Sequence, residues 1–329
     1  MHQRPSRPSR RTALALLLAA TAAPALRAQA AWPSKPITVI VPFPPGGQTD
    51  VIGRLVCDQL ARRLGQPVVV ENRPGVNGSL GSEQVARTAA DGYTLVVTGP
   101  GTHAINQLVN PNVKYDARKD FTHIGMLTRA GNVLLASPAF QGKSVADVVA
   151  LSKARPRSIN FALTGIGSSG HMSMELLKQA AGIDFNAVPY KGDAPAITDL
   201  IGGQVDLLFV NATSAGAQVR GGKLRGLAVT SPERNGLLPD LPTMAEAGQP
   251  EVVAQSWTGL SGPAGLPAAL VERLNRELQA ILALPEVRER FAATGNTAVP
   301  GSPADAQRFV DDEVAKWSKV VKAGNIRIE

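Results

Sequence analysis

Short apolar runs alternate with helix-forming stretches along this chain, and the alternating series occurs twice. In the first series, residues 37–41 (ITVIV), 68–70, 93–98 and 121–128 read as strands, with residues 132–137 continuing extended. A helix capped by Thr49 or Asp50 runs to Leu64, and a second runs to about Ala89. The second series has strands at 159–163, 186–190, 205–210 and 224–230. Its helices cover 145–154, 171–181, 194–201 and a stretch ending near Val219. Residues 256–260 are again extended, and helices follow at 267–282, 285–293 and 303–323. Strands that alternate with helices build parallel α/β sheets. Two series, each ending in an extended segment, predict an α/β clamshell of two lobes joined by two crossovers. Open α/β sheets bind ligands at the carboxyl ends of their strands, so both sets of strand ends would face the cleft between the lobes.

The first 30 residues stand apart from this pattern. Residues 1–12 are basic, 13–26 are almost wholly apolar, and Ala28-Gln29-Ala30 follows as a small-x-small cleavage pattern. Fourteen helical residues span about 20 Å, short of a bilayer core of about 30 Å. Residues 1–30 therefore read as a signal peptide cut after Ala30, and the mature chain as exported. Ser9-Arg10-Arg11-Thr12 fits a twin-arginine signal as well as an ordinary one.

Composition narrows the function. The net charge of +8 suggests nucleic acid until its place is known: Arg4, Arg7, Arg10, Arg11 and Arg27 sit in the leader with no acid, which leaves +3 for the rest. Eight Phe, three Trp and three Tyr in 329 residues are few for a protein that stacks sugars or bases. The single cysteine, Cys57, excludes disulfide scaffolds and CxxC zinc sites. The four histidines, His2, His103, His123 and His171, have no metal-ligand spacing, which argues against a histidine-rich metal site and leaves mixed Asp/Glu/His sites open; no metal and no cofactor is expected.

Two loops carry the chemistry that remains. Pro42-Phe43-Pro44-Pro45-Gly46-Gly47 joins a strand to a helix, a geometry that leaves backbone N–H groups free to bind an anion such as a carboxylate. The same glycines also suit a plain tight turn. Gly165-Ile166-Gly167-Ser168-Ser169-Gly170 matches G-x-G-x-x-G, but the next strand ends in Val188-Pro189-Tyr190 without the acid that a dinucleotide ribose needs. Two readings stay open for it: an anion-binding helix start with Ser168 and Ser169 as extra donors, or a capping loop. His171, one residue into that helix, reads as a hydrogen-bonding or structural histidine, since no G-x-S-x-G elbow or orienting acid accompanies it. Tyr190 and Lys191 follow a strand end and either face the cleft or sit in solvent. Asp206 suits a backbone-binding role at a strand edge, and Asn211 a helix cap.

Taken in order, the stretches VPFPPGGQTDVIGRL, VVVENRPGVNGSLG, DGYTLVV, DFTHIGML, PYKGDAPAITDLIGGQVDLLF, GKLRGLAVTSPERNGLLPDLPTMAEAG and SWTGLSGPAGLP resemble one family. It is the Bug (TctC-like) family, the substrate-binding proteins of tripartite tricarboxylate transporters, and the resemblance runs from about Trp32 to Glu329. It implies a periplasmic two-lobed binding protein of Venus-flytrap, type II-like fold. That fold has two crossovers and a cleft between lobes. It implies no enzymatic activity. Lobe one would hold residues 31–131 and 251–329, lobe two residues 132–250. A small carboxylate would be held by backbone groups and ordered waters and delivered to membrane subunits of the transporter. The protein is expected to be a monomer that binds no nucleic acid. Carried over position by position, the resemblance nominates Phe43, Pro44, Gly46, Gly47, Asp50 and Thr98 in lobe one. In lobe two it nominates Thr164, Gly165, Gly167, Ser168, Ser169, His171, Tyr190 and Lys191. Two departures bear on the ligand more than on the fold: Val210 stands where an aspartate is common, and Val76-Asn77 where small residues are usual. Two other functions compete with this one. A ligand-sensing module for a membrane receptor shares every feature above, and a neighbouring transporter or kinase gene separates the two. A secreted α/β hydrolase needs a nucleophile, base and acid that these histidines do not assemble.

Overall fold

A computed structural model describes residues 32–327 of the chain. The expected signal peptide lies outside the described residues. From Lys35 onward the described residues form one unit of two lobes.

Lobe one opens with strand β1 (Ile37–Val41), helix α1 (Gln48–Leu64) and strand β2 (Val68–Asn72). A short 3₁₀ turn (Val76–Gly78) leads into helix α2 (Ser79–Ala86), and strand β3 (Thr94–Thr98) follows. β1 pairs in parallel with β2 on one side and β3 on the other, as the apolar runs predict. After β3 comes a segment not foreseen in the sequence, a π-helical turn (Gly101–Ile105) running into helix α3 (Asn106–Val109). The expected cap at Thr49 or Asp50 is corrected: both residues lie inside α1, and Gly47 is its N-cap. A glycine serves there because the extended Gly47 ends a proline-stiffened loop and the helix starts directly after it.

Residues 121–128 and 132–137, expected as two segments, are one strand, β4 (Phe121–Ala136). It is the first crossover. Its first part, to Gly131, pairs antiparallel with β9 (Gln255–Pro263), the return crossover. Its last part pairs antiparallel with β7 (Leu207–Asn211) and β8 (Arg225–Val229) of lobe two. Each lobe therefore has a mixed sheet rather than the expected parallel one. The reason is topological: a strand that arrives from the other lobe enters the sheet against its direction. β9 likewise runs antiparallel to β3.

Lobe two adds helix α4 (Val145–Ala154), strand β5 (Asn160–Leu163), helix α5 (Ser169–Ala181), strand β6 (Asn186–Pro189), helix α6 (Asp193–Ile201) and helix α7 (Ala212–Arg220). β5 pairs in parallel with β6 and β7. The two-residue period of the strands sorts its core into two layers. Leu134, Ala136, Leu207 and Phe209 pack with Val145 and Val148 of α4 and Met174 and Leu177 of α5. Val133, Leu135, Leu208 and Val210 pack with Ala196 and Leu200 of α6 and Ala212 and Ala215 of α7. Val210 is thus a core residue, so its departure from the family pattern changes packing behind the strand.

The chain ends with helix α8 (Ala268–Ala283), helix α9 (Pro285–Ala292), the two-residue strand β10 (Thr297–Ala298) against β4, and helix α10 (Pro303–Gly324). Trp317, Val320 and Val321 of α10 pack with Met172 of α5, and Gln179 Nε2 of α5 donates to the Val320 carbonyl at 3.1 Å. The last helix therefore touches lobe two as well as lobe one.

Candidate functional site

Three helices begin where the lobes meet: α1 from lobe one, α5 and α7 from lobe two. The start of α1 reaches across through side chains. Gln48 Nε2 donates to Asn296 Oδ1 at 2.9 Å, and Asn296 Nδ2 donates to Thr213 Oγ1 in the first turn of α7 at 3.1 Å. Ser256 Oγ, on β9, donates to Gln48 Oε1 at 2.9 Å. Gln48 is buried, although glutamine is ordinarily a surface residue, and these partners account for it.

The start of α5 is held from beneath. Ser168 is its N-cap, accepting the His171 N–H at 3.1 Å. His171 Nδ1 accepts the Gly167 N–H at 3.0 Å, which fixes a neutral imidazole with its proton on Nε2. Burial lowers the His171 pKa to about 4, in keeping with that tautomer. Ser169 Oγ donates to Asn132 Oδ1 at 3.3 Å, and Asn132 Nδ2 to Ser173 Oγ at 2.9 Å, which ties the helix start to the crossover strand. Asn211 Oδ1 accepts the Ser214 N–H at 3.0 Å and caps α7, the role expected of it. Asp206 Oδ2 accepts the Asn160 N–H at 2.8 Å, again as expected.

In lobe one, Asp50 faces inward. Its carboxylate accepts from Arg54 Nε at 3.0 Å, Asn72 Nδ2 at 2.9 Å and the Gly46 N–H at 3.0 Å. Burial opposes its charge, but these donors outweigh burial and hold its pKa below the usual carboxylate value. Asp50 and Gly46 therefore shape the loop for each other, with the Gly46 N–H already spent. Pro44 and Gly47 are exposed on that loop. Asn72 Nδ2 also donates to the Phe43 carbonyl at 3.0 Å. Thr98 is buried against β9, where it pairs with Gly259.

The structure brings the two loops together through residues that sequence reasoning missed. The Phe43 ring lies beside Gly78, which also abuts Thr102. Next to it, Asn77 Nδ2 donates to Asn106 Oδ1 at 2.9 Å and to the Ile166 carbonyl of lobe two at 3.4 Å. Gly165 and Gly167 lie against the same side chain. The available signal was the asparagine set between two glycines, a pattern suited to left-handed backbone. Tyr190 and Lys191 are not drawn into this group by side-chain contacts. The Tyr190 hydroxyl donates to Asp199 Oδ2 of α6 at 2.7 Å, its ring packs on the lobe-two core, and Lys191 is exposed. The Thr164 carbonyl accepts the Gly192 N–H at 3.1 Å, and the neighbouring Leu163 carbonyl accepts the Tyr190 N–H at 2.7 Å.

A cavity of about 270 Å³ lies at the crossovers, lined by Arg129, Gly131, Ser231, Arg234, Gln255 and Asn296 among others. None of the sequence-nominated residues lines it. Asn296 connects it to the Gln48 network.

Residues 52–326 match the model of the tripartite tricarboxylate transporter family receptor. Protein BugT of Bordetella pertussis is 38% identical over 299 residues, covering 91% of this chain and 92% of that one. Among solved structures, Rpa4515 of R. palustris with adipate superposes with a TM-score of 0.85 at 38% identity, covering 90% of this chain and 99% of the other. MatC from Rhodopseudomonas palustris with bound malate gives a TM-score of 0.81 at 34% identity, covering 88% of this chain and all of the other.

Proposed function

The chain belongs to the tripartite tricarboxylate transporter receptor family, a family of periplasmic binding proteins, and on that premise we propose that it captures a small carboxylate between its lobes and hands it to the membrane subunits of such a transporter. It is a solute-binding protein and not an enzyme, as its relatives and structural neighbours are. The observation that carries the ligand class is the convergence of three helix N-termini, from both lobes, on one seam. Each presents partly unsatisfied N–H groups and the positive end of a helix dipole, which favours an anion without a dedicated arginine or lysine. Adipate and malate, the ligands of two structural neighbours, are small carboxylates.

In this reading lobe one is residues 31–131 with 251–329 and lobe two is 132–250, a division supported by the change of pairing along β4 between Gly131 and Asn132. Gly47 and the α5 start at Ser169 supply N–H donors, while the Ser168 N–H already goes to the Gly165 carbonyl at 3.1 Å and Ser168 serves as the helix cap. Phe43, Pro44 and Gly165 wall the seam. Asp50, Thr98, Thr164, Gly46, Gly167 and His171 set the shape of the loops, and Tyr190 and Lys191 flank the entrance. The chain reaches the periplasm through its N-terminal signal peptide. Among the described residues no helix is long and apolar enough to cross a membrane.

Gly47→Val tests the anion site. Its backbone lies in ordinary extended space and a Cβ there meets nothing within 4 Å, so the fold stays intact while bulk covers the N–H groups. Calorimetry with malate and adipate should show binding at least about tenfold weaker, a loss of ~1.4 kcal/mol. Unchanged affinity removes the loop from the site.

A further inference from the structure

We infer that Asn77 is the closure latch of this clamshell, the lobe-one side chain that locks onto the glycine loop of lobe two and sets how long a ligand stays bound. The inference rests on the closing-lobe reading above. Its first support is the backbone. Gly75, Val76, Asn77 and Gly78 have φ of +141°, +48°, +50° and +86°, four successive residues with positive φ. Glycine adopts such values freely, and asparagine tolerates the left-handed region, but a β-branched valine there is a true outlier. Val76 is 52% exposed, so burial of its side chain does not repay the strain. Strain of this kind persists where surrounding structure over-determines it, and it clusters at ligand clamps and switch regions.

What the turn secures is the place of the Asn77 amide. Asn106 grips the turn from its own lobe, donating from Nδ2 to the Asn77 carbonyl at 2.9 Å and to Ser79 Oγ at 2.8 Å. Asn77 Nδ2 answers Asn106 Oδ1 at 2.9 Å and reaches out to the Ile166 carbonyl at 3.4 Å. Glycines on both sides leave it room. A Cβ on Gly101 would lie 3.0 Å from Asn77 Nδ2. One on Gly167 would lie 3.5 Å from the same atom and 3.1 Å from Asn106 Oδ1. Ile166 belongs to the loop that starts α5, so the bond ties the Gly75–Gly78 turn, which lies beside Phe43 of the lobe-one loop, to the ligand-facing loop of lobe two. A contact that exists only with the lobes together favours the closed state by its whole free energy. The effect falls on ligand escape, because escape requires the bond to break, while approach to the open form does not involve it.

Two variants isolate the amide. Asn77→Gly removes it and still accepts φ of +50°. Asn77→Asp keeps its shape and its tolerance of left-handed backbone, but turns a carboxylate oxygen toward the Ile166 carbonyl and Asn106 Oδ1. Stopped-flow binding of malate and adipate should show dissociation about three- to tenfold faster in Asn77→Gly, the range for one hydrogen bond, with association within about twofold of wild type. Asn77→Asp should dissociate faster still. Wild-type dissociation in both variants overturns the latch. Hydrogen exchange reads the latch independently of binding kinetics: amides of residues 165–168, in the opposite lobe, should exchange faster in Asn77→Gly in whichever state, free or acid-bound, holds the lobes closed, and unchanged exchange in both states also overturns it. If the wild type binds neither acid yet this exchange responds, the latch stands and the ligand class fails.

Discussion

His103 and His123 show what burial does to a titratable side chain in this protein. Their rings lie 5.9 Å apart, packed with Phe121 and Tyr115 behind the π-helical turn. His123 is fully partnered, its Nε2 with the Ala117 carbonyl at 3.0 Å and its Nδ1 with Ser261 Oγ at 2.8 Å. His103 bonds Thr102 Oγ1 through Nδ1 at 2.9 Å and has no partner at Nε2. Burial pushes His123 down to about 4 and His103 well below its usual value, with the Ala117 carbonyl and, after it, Asp311 offsetting part of the cost at His123. His171 is likewise lowered by burial to about 4. These groups bind protons in the unfolded chain before they do in the folded one. Their contribution to stability is therefore complete above pH ~6.5 and is lost as pH falls toward 4. A depression from 6.5 to about 4 is worth on the order of 3 kcal/mol for one group. Urea unfolding followed from pH 7.5 to 4.5 should show steadily falling stability, in a window above the ordinary range of the carboxylates. A flat profile would show that these histidines are solvated.

At the scale of elements, packing between α5 and β7 has least room to give at Gly170. A Cβ there would lie 2.3 Å from the Phe209 carbonyl oxygen, backbone against backbone. Gly170→Ala must push the helix off the sheet, an overpacking cost of about 1–3 kcal/mol, and should lower Tm by several degrees. Gly236→Ala, where a Cβ meets nothing within 4 Å, should leave Tm unchanged. Equal melting of both variants would mean that α5 shifts without cost. Strands such as β1 and helices such as α4 were legible in the sequence because apolar runs and flanking turn residues mark them locally. The direction of β9 was not, because pairing of a crossover depends on which lobe it comes from. The π-helical turn and α3 were hidden by a mixed run of glycine, asparagine and apolar residues. The loops of the candidate site were legible, since glycines and prolines mark strand-to-helix turns, and the hydrogen-bonding roles of their side chains were less so. Asp50, Ser168 and His171 turn their polar atoms toward the loops that carry them, a choice set by partners distant or hidden in sequence.

The whole molecule is arranged around its two crossovers. β4 and β9 lie side by side through the junction, and α10 braces it from outside. There the indole N–H groups of Trp257 on β9 and Trp317 on α10 both donate to Glu313 Oε2, at 3.0 and 2.9 Å. This joint links the lobes through β4, β9 and α10. In the proposed function the helix starts at the seam receive the ligand, and one small carboxylate occupies that seam. Native mass spectrometry of the mature protein with malate and with adipate tests it most directly. A one-to-one adduct is expected with at least one of the two acids, greatly reduced in Gly47→Val. A folded protein that stays bare with both acids, or an adduct that survives intact in Gly47→Val, would contradict it.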